Sequence, residues 1–248
     1  MSLVFSQEAA EYPALISDRP DMTESADLVF KHDLQIESGV FYEENKNEST
    51  HEKVFGYNST LLRYGLLDNL ELRVGLDFQE VQTEINGHNQ KDKLSGFLPL
   101  ILGAKVRVAE ESGWFPKIAV LGNLFLPFTA AEDYRPETTG FDFLFAFSNT
   151  LSDKSALGYN VGAQWGDDSS EVSYIYSLSY GYSVTENISA FAEVYGSLPE
   201  DNAAGHSWDA GLTYLLNNDL QVDATIGSSF NTHQTLLLGA GVSYRLRH

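Results

Sequence analysis

The stretch Val172-Ser-Tyr-Ile-Tyr-Ser-Leu-Ser-Tyr-Gly-Tyr-Ser-Val184 alternates mostly apolar or aromatic side chains with small or polar ones. The first series contains Val172, four tyrosines, Leu178 and Val184, and the second is mostly serine and glycine. Successive side chains of a β-strand point to opposite sides, so a period of two residues separates the series onto two faces. The stretch therefore predicts a strand with one apolar face and one polar face.

The same alternation recurs from about residue 33 to the carboxy terminus, and helical spacing of apolar residues is nearly absent. It defines about twelve segments, an even number, which lets the chain end on the side where it began, as a closed single-chain barrel requires. The predicted strands lie near residues 33–44, 51–65, 70–83, 95–109, 115–128, 141–150, 156–165, 172–184, 188–198, 207–216, 220–230 and 235–247.

The polar face distinguishes two kinds of all-β protein. A soluble sandwich or barrel turns its apolar face inward, whereas a membrane barrel turns that face to lipid and encloses the polar one. Here the polar face carries glycine, serine, asparagine and charges, which are too polar and too small for a packed core. The sequence predicts an all-β fold: a transmembrane up-and-down antiparallel β-barrel of about twelve strands.

The connections between predicted strands alternate in length. Those after odd-numbered strands are mostly longer and rich in Glu, Asp, Asn and Gly, and those after even-numbered strands are mostly short. Short periplasmic turns and longer extracellular loops are typical of bacterial outer-membrane barrels. We therefore expect a bacterial outer-membrane protein with both termini in the periplasm.

The amino-terminal part lacks the alternation, so residues 1–31 are predicted to form a periplasmic segment and residues 32–248 the barrel. Residues 1–7 resemble a cloning methionine joined to the remnant of an apolar leader. The stretch that follows contains charged residues tethered just before strand one, at a high effective concentration near the barrel mouth. These residues are predicted either to plug the lumen or to belong to a disordered tail: Asp18, Arg19, Asp21 and Glu24.

Most basic residues of the barrel fall at lumen-facing positions near the predicted periplasmic ends of strands. Unpaired members would form a filter favouring anionic solutes, as rings of Arg and Lys do in anion pores. The alternative is a lining in which acids and bases pair and stiffen the barrel. The predicted lumen filter consists of Arg63, Arg73, Lys105, Arg107, Lys117, Arg245, Arg247, Glu37, Glu71, Asp77 and Asp223.

Large aromatic residues fall near the two ends of the predicted strands, where Trp and Tyr favour the interface between lipid and water. Two girdles are predicted, with Trp165, Trp208 and Tyr174 at the outer rim. The inner girdle is predicted to contain Trp114, Tyr64, Tyr159, Tyr182, Tyr214 and Tyr244.

Composition excludes several classes of function. The formal charge of −20 argues against nucleic acid as a partner, because phosphate binding needs a basic face. Cysteine is absent, so disulfides and thiolate metal sites are excluded. No hydrolase, zinc or phosphate-loop motif is present in the sequence. We expect no catalytic residues, no metal, no cofactor and no enzymatic activity.

Three stretches resemble the outer-membrane transporter family named for the MetA pathway of phenol degradation. They are Asp18-Arg-Pro-Asp-Met-Thr-Glu-Ser25 with Leu34-Gln-Ile-Glu-Ser-Gly39, Arg63-Tyr-Gly-Leu-Leu-Asp-Asn-Leu-Glu-Leu-Arg-Val-Gly75, and Gly103-Ala-Lys-Val-Arg107. The resemblance covers essentially residues 17–247. It implies an outer-membrane barrel that moves small aromatic or hydrophobic compounds, and it supplies no catalytic residues.

These observations predict an outer-membrane channel that passes small solutes by passive diffusion through a narrow lumen. Twelve strands enclose a lumen between that of filled eight-stranded barrels and open sixteen-stranded porins. The expected partners are outer-membrane lipid and an unidentified small solute, with a monomer favoured. Two alternatives stay open: a closed barrel that binds another envelope component, and an outer-membrane hydrolase.

Overall fold

The chain forms one antiparallel sheet of strands. The computed structural model describes residues 12–90, 92–166 and 171–248. In the described part the strands are β1 Leu34–Lys46, β2 Thr50–Leu67, β3 Leu70–Ile85, β4 His88–Asn89, β5 Leu94–Phe97, β6 Leu100–Ala109, β7 Lys117–Leu126, β8 Gly140–Ser152, β9 Ser155–Trp165, β10 Val172–Ser183, β11 Ile188–Pro199, β12 Gly205–Asn217, β13 Leu220–Ser229 and β14 Gln234–Leu246.

The sheet closes on itself. Strand β1 pairs with both β2 and β14, neighbouring strands pair in sequence from β14 back to β6, and β6 and β2 both pair with β3. Strand β4 is a two-residue extension against the end of β3, and β5 and β6 are consecutive parts of one barrel strand along β3. The ring therefore contains twelve antiparallel strands, which confirms the predicted fold.

The predicted strand over residues 95–109 is divided in two. Proline has no N–H to give to a sheet, so Pro99 interrupts the pairing with β3. The Leu98 N–H still reaches the carbonyl oxygen of Asp77 at 3.0 Å. Beside β5 lie two short 3₁₀ helices, Pro127–Thr129 and Glu132–Tyr134, and the Ala131 N–H before the second donates to the Phe97 carbonyl oxygen at 2.9 Å.

The polar face of the sheet points inward, as the alternation predicts. Outward side chains such as Leu178, Tyr180 and Val194 are about 40% exposed or more, which leaves an apolar belt for lipid. The interior instead contains charged and amide side chains, and Arg63, Lys105 and Glu71 have no exposed surface at all. None of the helices in the described residues has the length and apolarity needed to cross a bilayer.

The two ends of the barrel differ. The turn rim is the end that carries the connections 68–69, 110–116, 153–154, 184–187 and 218–219, together with the start of β1 and the end of β14. The loop rim is the opposite end, with β4 and, among the described residues, the connections 47–49, 86–87, 92–93, 127–139, 200–204 and 230–233. The predicted leader remnant lies outside the described residues.

Candidate functional site: the occupied lumen

The residues before β1 run inside the barrel. This re-entrant segment, residues 12–33, starts at the turn rim, where Asn218 donates a side-chain hydrogen bond to the Tyr12 carbonyl oxygen at 2.9 Å. It rises to the middle of the lumen around residues 20–24 and returns to the same rim. There the His32 N–H donates to the Gly65 carbonyl oxygen at 2.7 Å. The segment contacts strands on every side of the lumen.

Asp18 lies at the centre of the ion pairs between the segment and the barrel wall. Its carboxylate is 3.0 Å from Arg63, 2.7 Å from Arg73 and 2.8 Å from Lys105, which belong to β2, β3 and β6. All four side chains are buried. Burial alone raises the pKa of Asp18, but the three cations outweigh it and hold that pKa well below its ordinary value of 3.8. Asp18 is therefore an anion when the segment is in place.

Other acids share the same basic side chains. Arg63 also pairs with Glu37 and Glu71, each at 2.8 Å, and both acids belong to the wall. Glu24 of the segment lies 2.8 Å from Arg73 and 3.1 Å from Lys105. Four carboxylates therefore share three cations, and each has at least one partner of opposite charge, which matters because an unpaired charge in a buried site is costly.

Arg19 binds a different part of the wall. Its guanidinium donates two hydrogen bonds to Asp223 of β13, at 3.1 and 3.3 Å. The group lies over Gly39 of β1 and Gly241 of β14, which are paired in the sheet. A Cβ atom at either glycine would collide with the guanidinium, so this approach requires glycine at both positions.

The tip of the segment meets acidic side chains. Glu193 of β11 accepts hydrogen bonds from the Met22 N–H, the Thr23 N–H at 3.1 Å and the Thr23 hydroxyl at 2.7 Å. Asp21 accepts one from Ser179 at 3.0 Å. Burial and the charge of Glu193 raise the pKa of Asp21 well above 3.8. Two anions at this contact would repel, so the docked Asp21 favours its neutral form.

Amide and turn-side contacts complete the docking. The Glu24 N–H donates to Asn160 of β9 at 2.7 Å, and the Asn160 amide donates back to the Glu24 carbonyl oxygen at 2.9 Å. Nearer the turn rim, Lys117 pairs with Asp27. At the rim itself, Arg245 pairs with Asp219 at 2.8 Å.

The structure brings five of the eleven predicted lumen residues together. Arg63, Arg73, Lys105, Glu37 and Glu71 form one buried cluster around Asp18. Lys117 and Asp223 contact the segment separately, whereas Asp77 lies on β3 without a basic partner within 4.0 Å in the described chain. Arg107 and Arg247 lie at the turn rim, paired with Glu110 and Asp219.

The predicted aromatic residues lie on the outside of the barrel. Trp114 is 97% exposed in connection 110–116, and Tyr159 stacks on Phe147 with ring centroids 4.9 Å apart. The remaining seven are between about one third and just over one half exposed: Trp165, Trp208, Tyr64, Tyr174, Tyr182, Tyr214 and Tyr244.

Several lumen residues escaped the sequence prediction. Glu193 and Asp209 face each other on β11 and β12, and Asp142 on β8 hydrogen-bonds to Asn123 at 2.9 Å. Each occupies an inward position of its strand, so the period of two would have identified it. The prediction concentrated on basic residues and therefore passed over this acidic side.

Two cavities flank the segment within the lumen. The turn-side cavity, of about 420 Å³, lies between the segment and β7 to β13 and reaches Glu111 of the turn rim. The loop-side cavity, of about 380 Å³, extends from Met22 and Glu24 to Gly205 and Thr232 near the loop rim. Within the described residues, no group of three or more acidic or histidine side chains is arranged to hold a metal ion.

Comparison with known proteins agrees with this architecture. Residues 17–246 match the family described as "Putative MetA-pathway of phenol degradation". The chain belongs to this family. No curated protein matches the sequence. The match covers the whole of the closed β-barrel that the strand pairing shows.

Solved structures with a similar fold include a channel, a porin and a translocator domain. An outer membrane channel from Pseudomonas putida F1 is 18% identical with a TM-score of 0.68, and the match covers 88% of this chain and 97% of that one. The KdgM porin is 10% identical with a TM-score of 0.54, covering 85% and 99%. The translocator domain of the autotransporter NalP from Neisseria meningitidis is 10% identical with a TM-score of 0.53, covering 87% and 88%. At these identities the likeness shows the fold alone.

Proposed function

We propose that this barrel is an outer-membrane channel for small solutes in which the re-entrant segment is a plug. One observation carries the proposal: the segment lies across the middle of the lumen, between a cavity on its turn-rim side and a cavity on its loop-rim side. Solutes would pass by diffusion when the segment leaves its docked position. We further propose that the protein has no enzymatic activity and acts as a monomer.

The chemistry of the contacts supports a movable plug. Asp18, Arg19 and Glu24 are held by ion pairs and hydrogen bonds, whereas the buried apolar contacts of the segment are few. Water entering from both cavities could replace these polar contacts, which makes undocking far less costly than opening an apolar core. The covalent link to β1 would keep the undocked segment near the turn rim.

The proposed orientation places the turn rim and both termini in the periplasm of a Gram-negative bacterium. Short turns at that rim and longer connections at the other support it. The plug would then act from the periplasmic side. The acidic connections of the loop rim would face the outside of the cell.

The contacts of the basic side chains in the lumen do not fit the predicted anion filter. Such a filter needs unpaired cations, but Arg63, Arg73 and Lys105 each contact at least two carboxylates. We propose that these three residues hold the plug. The paired lining considered in the sequence analysis therefore fits the contacts better than an anion-selective ring.

A closed barrel is the second candidate, because the segment fills the middle of the lumen. In that case the barrel would bind another envelope component and would pass no solute. Liposome swelling in solutions of small sugars separates the two candidates, since only a channel gives solute flux.

Deletion of residues 1–25 tests the plug directly. Single-channel conductance in planar bilayers is expected to rise severalfold, because the two cavities become continuous. A heat-modifiable band on a denaturing gel verifies that the shortened chain still forms the barrel. A folded deletion variant with the conductance of the full chain would contradict the proposal.

A further inference from the structure

In the lumen, the basic side chains have acidic partners, but several acidic side chains have no basic partner. Each basic side chain that contacts the segment or lies in the cluster around Asp18 has a carboxylate partner. Several inward acids have no Lys or Arg nitrogen within 4.0 Å among the described residues. These acids are Asp21, Asp77, Asp142, Glu193 and Asp209.

The unpaired acids lie beside the tip of the segment or on its loop-rim side. Asp209 is 1% exposed, and its Oδ1 atom has no hydrogen-bond partner in the described structure. An ionised carboxylate inside a barrel with low-dielectric walls produces a negative potential that concentrates cations, whereas the docked Asp21, which favours its neutral form, adds none. Acidic side chains of the loop rim, including Glu200 and Asp201, extend the same sign of potential to the mouth.

The loop-side cavity lies within this negative potential, and it is large enough to hold a small molecule. Its volume of about 380 Å³ falls within the range of about 300–1,000 Å³ that is usual for small-ligand sites. Among the described residues that line it there is no Lys or Arg. A carboxylate of a solute would therefore find no cation in the lining to bind.

Asp142 is the anionic group best placed in this cavity. It lines the cavity from β8 and accepts a hydrogen bond on Oδ1 from Asn123 at 2.9 Å, which fixes its orientation. The Asn123 backbone also hydrogen-bonds to this carboxylate. An ammonium group could donate to this carboxylate and to the side-chain oxygen of Gln164, which lines the same cavity.

The other side chains of the lining suit the body of an organic cation. Met22, Leu144 and Ile175 offer apolar surface, and Met22 is 58% exposed although it lies inside the barrel. Tyr195 adds an aromatic ring, which attracts cations through its face. The cavity therefore combines one carboxylate without a basic partner, a second, Glu24, that is paired with Arg73 and Lys105, several amides or hydroxyls, and an apolar wall.

We infer that the loop-side cavity is a binding site for small organic cations, namely amines with an aromatic or aliphatic body, anchored by Asp142. This inference rests on the proposed channel function for its route of access, from the loop rim inward. The site gives the channel a preference for cations, opposite to the anion filter that the sequence predicts.

Three ligands of the same shape test the inference. Calorimetric titration of the full chain in detergent at pH 8 would use benzylammonium, benzyl alcohol and benzoate as probes. Benzylammonium is expected to bind at least about tenfold more tightly than benzyl alcohol, and benzoate not to bind, because only the first pairs with Asp142. Equal affinity for the three probes would overturn the inference.

Two variants locate the site. Asp142→Asn is expected to reduce benzylammonium affinity by about tenfold or more, whereas Glu186→Gln, an equal loss of charge at the turn rim, leaves it unchanged. Heat-modifiable migration verifies that both variants fold. Unchanged binding by folded Asp142→Asn would contradict the assignment.

Conductance separates this inference from the proposed function. Calorimetry needs no solute flux, so binding of benzylammonium to a barrel that never conducts would support the site and refute the channel. A conducting barrel with no preference among the probes would refute the site and leave the channel in place.

Discussion

Asp18 makes the densest set of ion pairs in the lumen, with three cations from three strands within 3.0 Å. We expect Asp18→Asn to weaken docking of the segment by about 3–5 kcal/mol, the usual cost of removing one partner from a buried ion pair. The open fraction in single-channel recordings should rise accordingly. Asp68→Asn is the control, because Asp68 is exposed and has only a 3.9 Å contact with Lys31. Equal open fractions in the two variants would count against the role given to Asp18.

Protonation of the segment should make docking depend on pH. The lowered pKa of Asp18 gives a contribution to docking that is fully present above 3.8 and disappears only as pH falls through the lower docked value. The raised pKa of Asp21 has the opposite effect: its contribution is complete below 3.8 and is lost as pH rises through the docked value. Groups facing Asp21 include Glu193, Ser179 and Asp18.

Recordings at several pH values check this dependence. We expect the open fraction to increase as pH is raised above 3.8 and through the docked pKa of Asp21, because Asp21 then loses its proton beside Glu193. Asp21→Asn should remove most of the increase, since asparagine stays neutral over this range. An increase of the same size in the variant would show that another group is responsible.

At the level of the elements, the contact between Arg19 and the paired strands β1 and β14 depends on glycine. Gly241→Ala should displace the guanidinium and raise the open fraction severalfold, because the new Cβ occupies its place. Gly181→Ala is the matched control: Gly181 borders the turn-side cavity, and a Cβ there meets nothing within 4 Å. Conductance equal to that of the unaltered chain in both variants would contradict this part of the account.

The strands could be predicted from the sequence, because an alternation with a period of two residues is visible within each strand. The segments predicted around residues 156–165 and 172–184 agree with β9 and β10 to within about one residue. The interruption at Pro99 was missed even though the proline is visible, because the apolar pattern continues across it. The pairing of Arg19 with Asp223 could not be foreseen, since it joins residues that are far apart in the chain.

At the level of the whole molecule, the direction of the alternation determines which side chains fill the interior of the barrel. Apolar side chains face lipid, so the interior is polar and its stability comes from ion pairs and hydrogen bonds instead of an apolar core. The polar interior could be predicted from the sequence, and so could the charged residues of the segment that precedes β1. The sequence did not predict which charges pair, because that depends on the path of residues 12–33 through the closed ring.

The central claim is that docking of this segment controls flux through the barrel, and a reversible covalent lock tests it most directly. The Thr23 and Ser177 hydroxyl oxygens are 2.9 Å apart, and the chain has no native cysteine. A Thr23→Cys, Ser177→Cys variant should therefore form a single disulfide between plug and wall. In planar bilayers we predict that the oxidised variant stays closed and that adding a reductant restores openings. Equal conductance before and after reduction, with the disulfide verified by mass spectrometry, would contradict the account.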